Sequence, residues 1–197
     1  MIPDQGVRLG ASERREQLLG AARDTFGSNG FTATSMNDIA VAAGVTKPVL
    51  YQHFESKHHL FLEVLTDTAE QLVTAIESAI ATSSTGREKI ELAFSAYVQF
   101  FGSAPANYRV IYGEGVRTEP EFADKHKAIQ ESLNAFTAEH IDIAGLDHDM
   151  RIMAASAIAG QLEAVVGQWL DSGQPHSADA VAKLLSSLAW RGLRGTG

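Results

Sequence analysis

The sequence has no cysteine and only five prolines in 197 residues. Without cysteine there are no disulfides, thiolate nucleophiles or Cys-based zinc sites, which fits a reducing cytoplasm. Scarce proline leaves long stretches able to be helical. No run of about 18 apolar residues occurs, so no membrane-spanning helix is expected. Clear strand alternation is missing too, so no sheet is expected. The opening residues MIPDQGVRLGASERREQ hold no apolar core of a secretory signal. GxSxG, P-loop, HExxH and paired-glycine fingerprints are all absent, which speaks against an enzyme and against a bound cofactor. His140, Asp142, Asp147, His148 and Asp149 crowd one region. Their spacing does not stack ligands on one helical face, so the region reads as a solvated helix junction rather than a metal site.

Positive charge is in deficit, with a formal net charge of −8. The deficit is uneven. Residues 1–60 carry six Lys/Arg and six Asp/Glu, and the remainder carries 10 bases against 18 acids. A neutral N-terminal part with a few basic side chains on one edge can touch phosphates, whereas an acidic remainder is repelled by them.

What is present is helical periodicity. The pattern predicts helices over about 12–28, a short second helix after Ser35, a third after Thr46, and a long fourth from 57 to 82. Further helices follow over 87–102, between Pro105 and Gly113, and over 119–143, 147–171 and 178–193. Ser12 is a plausible cap for the first helix. Ser35 with Asp38 three residues on resembles a capping box, and Pro48 suits a first helical turn.

The informative stretch is SMNDIAVAAGVTKPVLYQHFESK, residues 35–57. Ile39 and Ala40 face inward, Ala43 lets two helices cross closely, and Gly44 makes a tight turn. Val45 and Leu50 then plug the space between the helices. This is the build of a helix-turn-helix, whose second helix enters the major groove. Asn37, Thr46, Lys47, Tyr51 and His53 are left outside, and such groups bond phosphates and base edges. Position by position another reading stays open: Pro48 as a mere helix starter, Tyr51 and Phe54 as core, Lys57 as a solvated lysine.

At these residues the chain resembles the TetR family of regulators. The resemblance lies in Ile39-Ala40, Ala43-Gly44-Val45, Leu50-Tyr51-Gln52-His53-Phe54, Lys57 and the upstream Gly30-Phe31. It implies an all-α, nine-helix fold. A helix-turn-helix head over residues 1–56 would precede a ligand-binding and dimerisation body over 57–197. It also implies a homodimer on a palindromic DNA operator. Lys47, Pro48, Val49 and Tyr51 would face bases, and Asn37 would reach a base from the second helix. Ser35, Tyr51, His53 and Lys57 would hold phosphates, and Arg8, Arg14 and Arg15 would add contacts from the N-terminal arm.

In the body, Ala157, Gly160, Ala164 and Gly167 form a smooth stripe, and Leu184, Leu185 and Leu188 share a later helix. The stripe reads as a dimer interface, or else as packing inside one protomer. Phe94, Tyr97, Phe101, Tyr108, Ile111, Tyr112, Phe122 and Phe136 read as a pocket for a small hydrophobic effector, or as ordinary core. The segments KPVLYQHF, YRVIYGEGVRTEP and Trp190-Arg-Gly-Leu are similar to actinobacterial TetR-type regulators of fatty-acid synthesis that sense long-chain acyl-CoA. This implies a long-chain acyl-CoA or fatty acid as effector. The acidic body argues partly against an anionic CoA group, although Arg109, Arg117, Lys125 and Lys127 can meet one. The alternative is a regulator of efflux or catabolism that senses an aromatic or cationic molecule.

Overall fold

The computed structural model describes residues 10–140 and 146–194. Arg8, Asp142, Ile143 and the glycines after 194 lie outside the described residues. Within them the protein is all-helical. Nine helices of at least two turns are joined by one additional turn of helix.

α1 (Ala11–Asn29) starts one residue earlier than its expected Ser12 cap. Glu13 supplies the reason: its carboxylate reaches back and accepts the Gly10 N–H at 2.9 Å, which satisfies an orphan donor of the first turn. Gly30 ends the helix at φ +79°, a conformation that favours glycine. α2 (Met36–Ala42) carries the expected capping box. Ser35 Oγ accepts the Asp38 N–H at 3.2 Å, and the Asp38 carboxylate accepts the Ser35 N–H at 2.9 Å. Gly44, at φ +66°, turns the chain into α3 (Lys47–His53).

α4 (Lys57–Ile80) runs from this head into the body. Leu60, Phe61, Val64 and Leu65 are buried along its first half. Arg15 pairs with Glu63, and Arg23 lies 3.8 Å from Asp67, tying α1 to α4. α5 (Gly86–Ser103) packs against α4 and α10, and α6 (Pro105–Tyr112) against α1. α7 (Gly115–Thr118) is the single turn that periodicity did not predict, since four residues carry too little pattern. α8 (Pro120–His140), α9 (His148–Asp171) and α10 (Ala178–Arg194) complete the body. Asp147 caps α9 by accepting the Met150 N–H at 2.9 Å.

One hydrophobic core runs through head and body. Its crossing point is aromatic. The Phe122 ring lies 4.5 Å from Phe61, 4.8 Å from Phe31 and 4.3 Å from the His58 ring, centroid to centroid. Phe122 was expected in the effector pocket. It sits instead at the head–body junction, because the α6–α7 turn carries the start of α8 back against the start of α4. Close approach is built in there. A Cβ on Gly27 would fall 2.5 Å from that of Ala106, and one on Gly115 would fall 3.2 Å from Phe31.

Candidate nucleic-acid interface and ligand cavity

α2 and α3 share one solvent-facing surface. Ser35, Asn37, Thr46, Lys47, Pro48 and Tyr51 are exposed on it, with Val49 and His53 half-buried. Leu50 and Phe54 are fully buried and anchor the opposite side of α3. Tyr51 therefore projects outward, and the Lys47 ammonium lies 5.8 Å from its ring centroid. Thr46 caps α3 through its carbonyl alone, and its hydroxyl makes no cap bond. That hydroxyl remains available to a partner. Asp38 is exposed beside this surface, where hydrogen bonds from the Ser35 hydroxyl and N–H hold its carboxyl below the ordinary range and occupy it in the capping box. Sequence reasoning missed Val41, which lies one turn beyond Asn37 and is 71% exposed. An apolar residue in mid-helix gives no signal that distinguishes it from core.

The basic residues near this surface are more committed than the sequence suggested. Lys57 donates to the Phe31 carbonyl at 3.0 Å and lies 4.3 Å from the Phe31 ring centroid. Arg15 pairs with Glu63 over the Phe54 ring, and Arg14 donates to Gln17 at 2.8 Å.

In the body, a cavity of about 90 Å³ lies between α4, α5, α8 and α9. Of the residues expected to line it, Phe94, Tyr97 and Phe136 do so. Phe101, Tyr108, Ile111 and Tyr112 are packed in the core outside it. The remaining walls come from Ile76, Ile80, Ile90, Ala93, Leu133 and Ile158, together with Leu162, Thr137, Lys89 and His140. The inward stripe of α8 could have pointed to Leu133 and Thr137, but Lys89 and His140 read as surface residues.

A polar chain flanks the cavity. Tyr97 and Tyr112 share a hydrogen bond of 3.0 Å between their hydroxyls, and His126 lies 3.3 Å from Gln130. The Tyr108 hydroxyl donates to the Glu163 carbonyl at 2.9 Å. Burial pushes all three phenols up, Tyr108 to about 12 with help from the Glu163 carboxylate. Burial also pushes His126 down, with Arg117 adding to the effect. These groups are therefore neutral near pH 7. They are suited to uncharged hydrogen bonding. Among the described residues no three His, Asp or Glu converge as metal ligands, and no helix is long and apolar enough to cross a membrane.

Residues 18–64 match the family of bacterial regulatory proteins of tetR type. The chain is 35% identical over 191 residues to the HTH-type transcriptional activator FasR of Mycolicibacterium smegmatis, covering 96% of this chain and 87% of that one. The chain belongs to the TetR family. It is a DNA-binding transcriptional regulator. A TetR-like regulator from Rhodococcus sp. RHA1 shares the fold at 32% identity and a TM-score of 0.78, over 95% of this chain and 100% of that one. FadR from Bacillus subtilis, solved in complex with stearoyl-CoA, shares the fold alone. It has 22% identity and a TM-score of 0.74, over 88% of this chain and 96% of that one.

This TetR-family chain carries one further surface. On α9, Ala157, Gly160 and Ala164 are exposed, with Met150 and Met153 on the same helix 47% and 63% exposed. On α10, Leu184 and Leu188 are about half exposed. Two residues expected with them face the protomer's own core. Gly167 is buried because a Cβ there would fall 2.3 Å from the Tyr108 hydroxyl oxygen, so its bareness makes room for Tyr108. Leu185 is fully buried on the inward side of α10, the helix that packs on α5.

Proposed function

We propose that this regulator binds a palindromic operator as a homodimer and that a small hydrophobic effector seated in the α4–α5–α8–α9 cavity changes its DNA affinity. Residues 1–56 form the DNA-reading head and residues 57–197 the sensing and dimerising body. The exposed face of α2–α3 carries the DNA reading. Lys47, Pro48, Val49 and Tyr51 meet base edges, and Asn37 reaches a base from α2. Ser35, Thr46, Tyr51 and His53 meet phosphates. Lys57 braces the Phe31 carbonyl and so positions the start of α4, instead of reaching the backbone of DNA itself. The exposed apolar strip of Met153, Ala157, Gly160, Leu184 and Leu188 is the surface for a twofold mate, since paired half-sites need paired readers.

The cavity supports the effector reading. Its walls are almost entirely apolar, and it abuts α4, the helix that continues into the head. A cavity of about 150 Å³ holds one benzene ring, so at about 90 Å³ this one accepts a longer chain only by moving its walls. A ligand shifts an equilibrium only through its different affinity for the two states, and wall movement supplies that difference. An aliphatic chain gains about 0.8 kcal/mol per buried methylene, so affinity should climb with chain length until the widened cavity is full. The FadR complex with stearoyl-CoA gives the fold a precedent for an acyl ligand. A cationic effector fits less well, because the charged side chain in the walls is Lys89.

The test is a titration of fatty acids and acyl-CoAs of rising length against a preformed complex with DNA from upstream of the regulator's own coding sequence. DNA release or tightening that grows with chain length, and is abolished by Ala93→Trp, supports the reading. Indifference to every chain length refutes it.

A further inference from the structure

We propose that the polar end of this cavity is built for the ionised carboxylate of a free fatty acid, with Lys89 as its charge partner. The proposal rests on the cavity being the effector site. Three helix ends meet at one end of the cavity: Ile80 is the last residue of α4, Lys89 lies in the first turn of α5, and His140 is the last residue of α8. All three line the cavity. Tyr97, Ile76 and Leu133 line it one or two turns deeper along the same helices. The cavity is therefore polar at one end and apolar along its length, the outline of a single-chain amphiphile.

The polar inventory of the walls singles out that end. The Tyr97 hydroxyl is bonded to Tyr112 at 3.0 Å, and the Thr137 hydroxyl donates to the Leu133 carbonyl at 2.8 Å. Neither needs a ligand. His140 is bonded through Nδ1 to the Phe136 carbonyl at 2.8 Å, which fixes its ring and leaves Nε2. Lys89 is half-buried, and no carboxylate among the described residues pairs with it. The acids beside it on α5 are engaged elsewhere. Glu88 accepts from the Ser84 N–H and hydroxyl at 2.8 Å, and Glu91 accepts from Arg87 at 2.8 Å. With no carboxylate partner among the described residues, the half-buried Lys89 ammonium can give a carboxylate at the end of an alkyl chain a charge-assisted hydrogen bond. A thioester does not. Its carbonyl is neutral, and the first negative charge of a CoA lies at the far end of the pantetheine arm. The geometry thus favours the free acid over the thioester.

Calorimetric titration of the full-length protein with dodecanoate, dodecan-1-ol and dodecanoyl-CoA tests this. The acid should bind roughly ten- to hundredfold more tightly than the alcohol, the value of one charge-assisted contact, and more tightly than the thioester. Lys89→Met should bring the acid-to-alcohol ratio near one, and Lys89→Arg should keep it. Equal binding of acid and alcohol by the wild type, a thioester that outbinds the acid, or an unchanged ratio in Lys89→Met would each overturn the proposal. Ala93→Trp separates this failure from that of the effector reading. If the alcohol binds and Ala93→Trp blocks it, the cavity reading stands whatever Lys89 does. If the alcohol binds undisturbed by Ala93→Trp, or no chain binds at all, both readings fail.

Discussion

Replacing Phe122 with alanine separates a head–body junction from a pocket wall. The ring is fully buried and meets three other rings at centroid distances of 4.3 to 4.8 Å. Truncating a buried Phe costs about 3–5 kcal/mol when the site cannot collapse. Collapse is hindered here, since Gly115 already abuts Phe31 and Phe61. Each lost aromatic pair accounts for about 0.5–1.5 kcal/mol of that sum. A change of 1 kcal/mol moves the midpoint of a chain this size by about 2–4 °C, so thermal unfolding followed by circular dichroism should fall by roughly 6–20 °C. Phe136→Ala is the control. Phe136 is half-buried and already borders a cavity, so its truncation should cost less than about half as much. Near-equal losses at the two positions, or a loss below about 1 kcal/mol at Phe122, would refute the assignment of Phe122 to the junction.

Leu184→Glu combined with Leu188→Glu should turn the proposed dimer into monomers of 21.1 kDa in size-exclusion chromatography, at about 2 kcal/mol or more of lost association. A species that stays dimeric places the interface elsewhere. Lys57→Met should cost about 1–2 kcal/mol in urea unfolding, through the lost carbonyl bond and cation–π contact, and should leave the salt dependence of DNA binding nearly unchanged. A slope lowered by about one unit would make Lys57 a phosphate contact after all. The Asp38 carboxyl is depressed in the folded protein, so its contribution to stability is complete above the unfolded value of 3.8 and is lost as pH falls through the lower folded value. Acid unfolding of Asp38→Asn should lack that component, and an identical pH profile would show that the capping box carries no linkage.

The helix-turn-helix was legible because every local signal agreed. The Ser35–Asp38 box, the Gly44 turn and the buried Leu50 are short-range features, fixed by neighbours in sequence. The body was legible as helices but not as faces. Gly167 and Gly160 belong to the same small-residue stripe, yet one shelters Tyr108 and the other is bare to solvent. Only the position of α6 decides between them, and no periodicity encodes that. Phe122 was misplaced for the same reason, since its partners Phe31 and Phe61 are remote in sequence. Lys89 escaped notice because a lysine near a helix start reads as solvated until the opposite wall is known.

The central claim is that the exposed face of α2–α3 reads DNA. The direct test is mobility shift with the upstream region of the regulator's own coding sequence, comparing wild type with Lys47→Ala at fixed salt and against a scrambled duplex. Lys47→Ala should weaken the specific complex by about 1–3 kcal/mol and leave binding to the scrambled duplex little changed. Equal losses on both duplexes, or undiminished specific binding, would contradict it.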